Sequence, residues 1–257
     1  MIVNFKYAFF VLLILLALSI VFCVVLYKGI LHYYKEVQLV RIFPAGETMS
    51  DGDKGDFEKK PGGDFRIVLL GDSRISQWCS YPEIDAVEYL NLGIGGQTSA
   101  QVLFRVNNEA IKSQPDVVVV QVGINDLKAI GVFPEKKQAI VGICQKNIKE
   151  LVTVLHEHNI EVVVLTIFDP SSPSFLRKPM WSDEIYSAVD EVNEFIDQLE
   201  GNGVTIINCG RELSENGRIK PEYAKDTLHL SDMGYEKLNS IVKPVLEKII
   251  RNKLSQQ

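Results

Sequence analysis

The stretch that decides the fold is Arg66-Ile-Val-Leu-Leu-Gly-Asp-Ser-Arg-Ile75. Its apolar half, centred on residues 67–70, is a continuous aliphatic run, which is typical of a strand buried on both faces. Gly71 allows a sharp turn, so Asp72 and Ser73 stand at the carboxyl end of this strand. In open α/β sheets that edge is where ligands bind. Ser and Asp are also common turn residues, so the interpretation needs support from the rest of the chain.

Strands of this kind alternate with helical segments from residue 65 onward. We predict strands at 66–71, 88–92, 116–122, 161–166 and 204–208, and helices at 99–112, 136–158, 183–200 and 232–253. Continuous Val, Ile and Leu strands that alternate with helices indicate a parallel sheet covered on both faces. The predicted fold is therefore α/β: a three-layer α/β/α sandwich with a parallel, five-stranded, flavodoxin-like sheet.

One N-terminal transmembrane helix is predicted to precede this domain. Residues 7–27 carry no charge, and roughly twenty apolar residues are what a helix needs to cross a bilayer. A cleaved signal peptide is the alternative, but its apolar region is shorter and is followed by a small-residue cleavage site, which is not found here. We expect residues 1–44 to form a membrane anchor with a juxtamembrane segment, residues 45–64 a Gly-rich charged linker, and residues 65–257 the folded domain.

Charge and cysteine content exclude some functions. The formal net charge is -6 without a basic block, which argues against nucleic acid as the main partner. The four cysteines match the spacing of neither a metal site nor a dense disulfide framework, so we interpret them as free thiols.

Two further polar segments follow predicted strands. Asn-Leu-Gly-Ile-Gly-Gly-Gln-Thr at 91–98 leaves backbone N–H groups open just before a helix. It resembles a dinucleotide loop only in part, because Thr98 replaces the last glycine and no acidic ribose partner follows. Gly-Ile-Asn-Asp at 123–126 directs polar side chains to the same edge, although an Asx turn or helix cap is an alternative and spacing alone does not separate Asn125 from Asp126.

The last segment of interest is Asp226-Thr-Leu-His229, just before the final helix. This spacing lets the Asp226 carboxylate reach one imidazole nitrogen of His229 and leaves the other as a general base. A surface histidine beside a helix cap and a metal site are the alternatives. Two ligands without a third make a poor metal site, so no metal is predicted. A hydroxyl nucleophile needs such a base and orienting acid, and Ser73 supplies the hydroxyl.

With these four motifs in this order, residues 65–252 resemble the SGNH (GDSL-type) hydrolase superfamily of serine esterases and lipases. The resemblance implies a flavodoxin-like fold and no cofactor. It implies a catalytic triad and an oxyanion hole, with the roles nucleophile Ser73, acid Asp226, base His229, and oxyanion donors Ser73, Gly96 and Asn125. Asp126 then has a structural role. The chain departs from the family at Arg74, where the eponymous pattern has Leu, and at Gln97, where many relatives have Asp.

We therefore expect a membrane-anchored serine esterase that hydrolyses a carboxylic ester, on a small molecule, a glycan or a lipid. The loop at 169–182, with Arg177 and Lys178, and Arg74 are predicted to form a polar, partly cationic rim that suits a short acyl group on a hydroxylated carrier, such as a sugar O-acetyl ester. Alternatives are an acyltransferase, a lysophospholipase-like or thioesterase-like lipid hydrolase, and a non-catalytic carbohydrate-binding domain.

The side of the membrane is predicted from two opposing signals. Lys6 precedes the apolar segment and Lys28, Lys35 and Arg41 follow it, which favours a cytoplasmic carboxyl-terminal side. The resemblance implies the opposite, because the family is often exported, and we expect an extracytoplasmic domain. The sequence does not indicate an oligomeric state.

Overall fold

The computed structural model describes residues 2–42, 65–175 and 177–255, with the side chains of residues 5–34 in the first range. The chain divides into two compact units, Met1–Glu47 and Thr48–Gln257. The predicted linker at 45–64 lies outside the described residues, so the proposed boundaries between anchor, linker and domain stay predictions.

The first unit is one long helix, α1 (Ile2–Ile42). Its segment Phe5–Tyr34 exposes its apolar side chains on all sides instead of packing them. A helix that is apolar all round is stable only when another apolar medium covers it. By length and composition α1 is able to cross a membrane, although an N-terminal signal sequence would meet the same criteria.

The second unit is built on a five-stranded parallel sheet, as predicted. Its strands are β1 (Phe65–Gly71), β2 (Val87–Gly93), β3 (Val117–Gln121), β4 (Glu161–Leu165) and β5 (Val204–Ile207), each within one residue of its predicted ends. Their order is β2-β1-β3-β4-β5, so the winding reverses direction at β1. Gly71 pairs with Gly93 on one side and with Gln121 on the other, which brings three strand ends together at one edge.

Helices cover both faces of this sheet. In chain order they are α2 (Ser73–Ser76), α3 (Ser99–Arg105), α4 (Ile124–Leu127), α5 (Lys137–Glu157), α6 (Glu184–Asp197), α7 (Gly210–Leu213) and α8 (Asp232–Leu254). Val68 and Leu70 of β1 belong to the core shared with α3, α5 and α6. Ile67 and Leu69 belong to the core shared with α8. Alternate residues of one strand therefore pack into opposite layers, and the predicted α/β/α sandwich is confirmed.

The predicted helix at 99–112 is wrong as a single α-helix. The α-helical part, α3, ends at Arg105, and a π-helical turn follows at Asn107–Ile111. Arg105 and Glu109, on either side of this transition, form a buried ion pair with 2.7 Å between Nη1 and Oε2. The π-turn thus lies where two charged side chains turn inward, a place where helical geometry is commonly irregular.

The sequence did not predict the short helices α2 and α4, which begin immediately after β1 and β3. It also did not predict α7 or the small antiparallel pair β6 (Ser214–Glu215) and β7 (Arg218–Ile219). α2 and α4 matter most for function, because each places the first residues after a strand at the carboxyl edge of the sheet.

Candidate active site

Ser73 is the first residue of α2, directly beyond β1. Asp72 caps this helix by accepting a hydrogen bond from the Arg74 N–H at 2.9 Å. The chain turns at Gly71, where a Cβ atom would lie only 2.0 Å from the Gln121 carbonyl oxygen. Only glycine permits this close approach of β1 and β3, so the turn that presents the Ser73 hydroxyl depends on it.

The structure brings Ser73, His229 and Asp226 together across 156 positions of sequence. The Ser73 Oγ lies 2.9 Å from the His229 Nε2, and the His229 Nδ1 lies 2.8 Å from an Asp226 carboxylate oxygen, Oδ2. Both distances are those of hydrogen bonds. The arrangement is a hydroxyl next to an imidazole that a carboxylate orients, which is what activation of a hydroxyl nucleophile requires.

The Asp226 carboxylate is also bound by its own loop. Its second oxygen, Oδ1, accepts the N–H groups of Leu228 at 2.7 Å and of His229 at 3.0 Å. Burial acts to raise the pKa of Asp226, but these amide donors and the imidazole outweigh it, so that the pKa lies below its ordinary value. Asp226 is therefore ionised at neutral pH and able to orient the imidazole.

Two backbone N–H groups belong to Ser73 and to the glycine-rich loop at residues 91–98 that passes beside it. Within residues 65–175 and 177–255, neither the Ser73 nor the Gly96 N–H has a hydrogen-bond partner. Gly96 has a φ of +79°, in the left-handed region that favours glycine. A Cβ atom on the preceding Gly95 would lie 3.9 Å from the Ser73 Cβ, so this loop runs directly past the nucleophile. Both donors are available to an oxyanion.

Asn125, the third predicted donor, is buried in α4 at 6% exposure. Its Nδ2 donates a hydrogen bond to the Gln97 carbonyl oxygen at 2.9 Å. An amide nitrogen carries two hydrogens, so one remains for a second acceptor. Asn125 is thereby linked to the glycine-rich loop at residues 91–98, which also carries Gly96.

Asp126, its neighbour, binds elsewhere. Its two carboxylate oxygens accept the Ser99 N–H at 2.8 Å and the Ser99 Oγ–H at 2.6 Å. Asn147 of α5 donates to the same Ser99 Oγ at 3.0 Å. Asp126 therefore ties the start of α3 to α4, and spacing alone could not have separated this contact from that of Asn125.

The predicted cationic rim is wrong for Arg74, because its side chain is buried at 1% exposure. The guanidinium donates to the carbonyl oxygens of Leu228 and Phe168, each at 2.9 Å, and stacks 3.8 Å from the Phe168 ring centre. Burial lowers the pKa of Arg74 to about 10, which nearby Asp72 partly opposes. Arg74 thus holds the loops after β4 and before α8 against α2, inside the fold.

A second buried network lies beneath the glycine-rich loop. Arg105 donates to the Gln97 Oε1 at 2.7 Å and to the Gly71 carbonyl oxygen at 3.0 Å, besides its pair with Glu109. Burial lowers the pKa of Arg105, and the Glu109 carboxylate opposes this. Gln97, one of the departures from the family pattern, therefore bonds to an arginine that also contacts the end of β1. The spacing of Arg105 and Glu109 was a signal that the sequence interpretation did not use.

Two further side chains at this edge were missed. Asn91, at the end of β2, donates to the Ile75 carbonyl oxygen at 2.8 Å and so fastens α2 to the sheet. Lys128, just after α4, donates from its Nζ to the Asn125 Oδ1 at 2.6 Å. No sequence pattern predicts these two contacts, because only the folded chain brings the partners within hydrogen-bond distance.

The loop at 169–182 borders the site. The Ser171 N–H donates to the Thr227 carbonyl oxygen at 2.9 Å, and its Oγ donates to the Asp226 carbonyl oxygen at 3.0 Å. A surface groove of about 450 Å³ runs along the loop beside Trp181 and Lys178. The loop is therefore bonded to the segment that carries Asp226 and does more than cover the sheet.

No group of His, Cys, Asp and Glu side chains suited to a metal ion is found among the described residues. The cysteines are free: Cys144 and Cys209 are buried, whereas Cys23 and Cys79 are exposed. Burial raises the pKa of the Cys209 thiol to about 12, so this thiol is inert at neutral pH.

A parallel α/β/α sandwich with a serine, a histidine and a carboxylate at its carboxyl edge defines a serine hydrolase. The chain belongs to the GDSL-like lipase/acylhydrolase family, whose model matches residues 69–237. The predicted family and the predicted class of enzyme, a serine ester hydrolase, are thereby confirmed. No curated protein matches the sequence.

Solved structures of the same fold include three acyl-ester hydrolases. A GDSL-like lipase from Bacteroides thetaiotaomicron is 20% identical with a TM-score of 0.57, over 82% of this chain and 96% of that one. A lipase/acylhydrolase from Enterococcus faecalis is 22% identical with a TM-score of 0.50, over 73% and 96% of the two chains. An acetyl xylan esterase is 18% identical with a TM-score of 0.54, over 70% and 98%. At these identities the likeness shows the fold.

Proposed function

We propose that this enzyme hydrolyses a carboxylic ester through an acyl-enzyme on Ser73. The observation that carries the proposal is the continuous hydrogen-bonded relay from the Ser73 Oγ through His229 to Asp226, at 2.9 and 2.8 Å. It lies at the reversal point of the sheet order, where α/β folds bind ligands.

In the first step Ser73 Oγ attacks the ester carbonyl carbon while its proton passes to the His229 Nε2. The positive charge that forms on the imidazole is stabilised by Asp226, which accepts the Nδ1–H. His229 then returns the proton to the leaving alcohol oxygen, and the C–O bond of the ester breaks. Water, deprotonated by the same imidazole, then attacks the acyl carbon. The bond between this carbon and the Ser73 Oγ breaks, the imidazole returns the proton to the Oγ, and the acid is released.

The negative oxygen of each tetrahedral intermediate is the charge that the site must stabilise. We assign this role to the Ser73 and Gly96 backbone N–H groups and the Asn125 side-chain amide. The two backbone donors have no hydrogen-bond partner within residues 65–175 and 177–255, and the amide is held by the Gln97 carbonyl oxygen, so all three are in place before the substrate binds. Donors of this kind contribute about 2.7–4 kcal/mol each to the transition state.

For the substrate we propose a short acyl group, such as acetyl, on a hydroxylated carrier. The loop at 169–182 carries Arg177 and Lys178 beside Trp181. The proposed cationic rim therefore consists of Arg177 and Lys178, without the buried Arg74. Acetyl xylan hydrolysis, the activity named for one protein of this fold, is a reaction of the same kind.

We also propose that α1 anchors the enzyme in a membrane with the catalytic domain on the extracytoplasmic side. The length and apolar surface of α1 support the anchoring. Protease protection of the full-length protein in sealed, right-side-out vesicles tests the orientation. An extracytoplasmic domain is then digested without permeabilisation, whereas a cytoplasmic domain is protected.

The mechanism is tested by labelling with a fluorophosphonate and by hydrolysis of nitrophenyl esters with two to twelve acyl carbons. Wild type should be labelled at Ser73 and S73A should not, and S73A should lose nearly all hydrolysis. kcat/KM should fall as the acyl chain grows, because each methylene that does not fit the site forgoes or reverses about 0.8 kcal/mol of burial. Activity of S73A above a few per cent would reject Ser73 as the nucleophile. A steady rise toward long chains would favour a lipid hydrolase.

A further inference from the structure

Lys128 holds one end of the Asn125 side chain, and the glycine-rich loop holds the other. Its Nζ donates to the Asn125 Oδ1 at 2.6 Å, while the Asn125 Nδ2 donates to the Gln97 carbonyl oxygen at 2.9 Å. The amide plane is therefore fixed at both its oxygen and its nitrogen.

These two contacts permit only one orientation of the amide. An ammonium group only donates hydrogen bonds and a carbonyl oxygen only accepts them, so Lys128 selects the Oδ1 and Gln97 selects the Nδ2. A rotation of the amide by 180° would oppose donor to donor and acceptor to acceptor. It would also point the Oδ1 at the oxyanion and repel it. The observed orientation keeps the second Nδ2–H for the oxyanion.

The charge of Lys128 acts in the same direction. An ammonium bound to an amide oxygen polarises the amide and makes its N–H groups stronger donors. Burial of the ammonium lowers the pKa of Lys128 and Arg177 acts likewise, while Asp72 and Asp126 oppose them. The hydrogen bond is short enough that the cation and the amide interact directly.

We propose that Lys128 is a positioning residue of the oxyanion hole, which orients and polarises the Asn125 amide toward the tetrahedral intermediate. The inference rests on the proposed role of Asn125 in the acyl-enzyme mechanism. It adds a residue outside the four motifs, supplied by the segment after α4. Lys128 does not itself touch the reacting atoms, so its effect must pass through Asn125.

A double-mutant cycle on the full-length protein in detergent tests this. K128M keeps most of the length of the side chain and removes the donor. Lys128 is exposed as a residue and only its ammonium end is partly buried, so the fold should tolerate the change. We expect kcat on nitrophenyl acetate to fall about ten- to a hundredfold with KM changed less than about twofold, because the amide acts only in the transition state. In an N125A background K128M should have almost no further effect. K128R, which retains a cationic donor, should recover part of the loss.

K149M, which removes an exposed lysine of α5, is the matched control for loss of a positive charge and should leave kcat unchanged. Unchanged kcat in K128M, an effect confined to KM, or an equal loss in both backgrounds would overturn the inference, since Lys128 would then act on the substrate or not at all. S73A separates this failure from failure of the proposed function. If S73A is inactive while K128M is silent, only the inference falls, whereas an active S73A removes both.

Discussion

Asn125 and Asp126 are adjacent in sequence, yet their side chains have separate partners. Asn125 is bonded to Gln97 and Lys128 beside the nucleophile, and Asp126 to Ser99. N125A should lower kcat by about 10²–10³ with little change in KM, because in the proposed mechanism the free N–H of Asn125 serves only the developing oxyanion. Steady-state kinetics on a short nitrophenyl ester measure both constants. A rise in KM at constant kcat would place Asn125 in ground-state binding instead.

D126A is the matched comparison for the neighbouring position. It leaves the Ser99 N–H and hydroxyl without their acceptor, so the free energy of unfolding should fall by about 1–3 kcal/mol. Its kcat should fall far less than that of N125A. Urea denaturation followed by tryptophan fluorescence measures the stability, since both tryptophans lie in the second unit.

Asp72 makes the free energy of unfolding depend on pH, and the variant D72N isolates this effect. Burial raises the pKa of this carboxyl from 3.8 to about 6, so the folded state holds the proton more tightly than the unfolded chain does. The stability from this protonation is fully present below about pH 4 and is lost as the pH rises through about 6. D72N keeps the acceptor for the Arg74 N–H and does not titrate. Relative to wild type it should therefore gain stability between about pH 4 and pH 7, by at most about 3 kcal/mol. A stability difference that stays constant over this range would contradict the shift.

At the scale of secondary-structure elements, Arg74 connects α2 to two loops beside Ser73. It joins α2 to the loop after β4 through Phe168 and to the triad loop through Leu228, and its own carbonyl oxygen accepts the Tyr235 hydroxyl of α8 at 2.7 Å. Three segments distant in sequence therefore meet at one buried guanidinium. A leucine at this position, as the family pattern has, would make none of these side-chain hydrogen bonds.

R74L should lower the free energy of unfolding by about 3 kcal/mol or more, because two buried carbonyl oxygens lose their donor and the Asp72 carboxylate loses a nearby positive charge. kcat should fall as well, since the loop of Asp226 and His229 loses its link to α2. R211L, at an exposed arginine of α7, is the control and should change the stability by less than about 0.5 kcal/mol. Equal stability of R74L and R211L would show that leucine repacks the site without cost.

For the chain as a whole, the division into two units predicts that the apolar helix α1 and the catalytic domain are separable. Deletion of residues 1–44 should yield a soluble protein with kcat within about twofold of the detergent-solubilised full-length enzyme, because every residue of the proposed site lies in the second unit. Gel filtration and ester hydrolysis check both properties. An insoluble product, from a truncation beginning at residue 45, would mean that the deleted segment covers apolar surface of the domain.

Local chemistry determined much of this protein in advance. Short apolar runs that alternate with helical segments are typical of buried parallel strands, and all five strands were predicted to within one residue of their ends. Because such strands end at a common edge, Ser73 was expected at that edge directly after β1. Asp226 and His229 were assigned to the same site from their spacing before the last helix and from the family resemblance, and the three residues do lie together. Gly96 lies in the glycine-rich loop after β2, and Asn125 is bonded to the Gln97 carbonyl oxygen of that loop.

The tertiary structure alone decided how polar side chains are divided between surface and interior. From its local sequence Arg74 was expected to be an exposed cation. Its hydrogen-bond acceptors lie 94 and 154 positions away in the sequence, so no local pattern predicts that its side chain is buried. The same holds for Asp126, whose acceptor role for Ser99 arises from the packing of α4 on α3. Lys128 is three residues from Asn125, yet their contact has meaning only because Gln97 holds the opposite end of the amide. Burial and hydrogen-bond satisfaction are properties of distant segments brought together, and these are what the linear pattern does not contain.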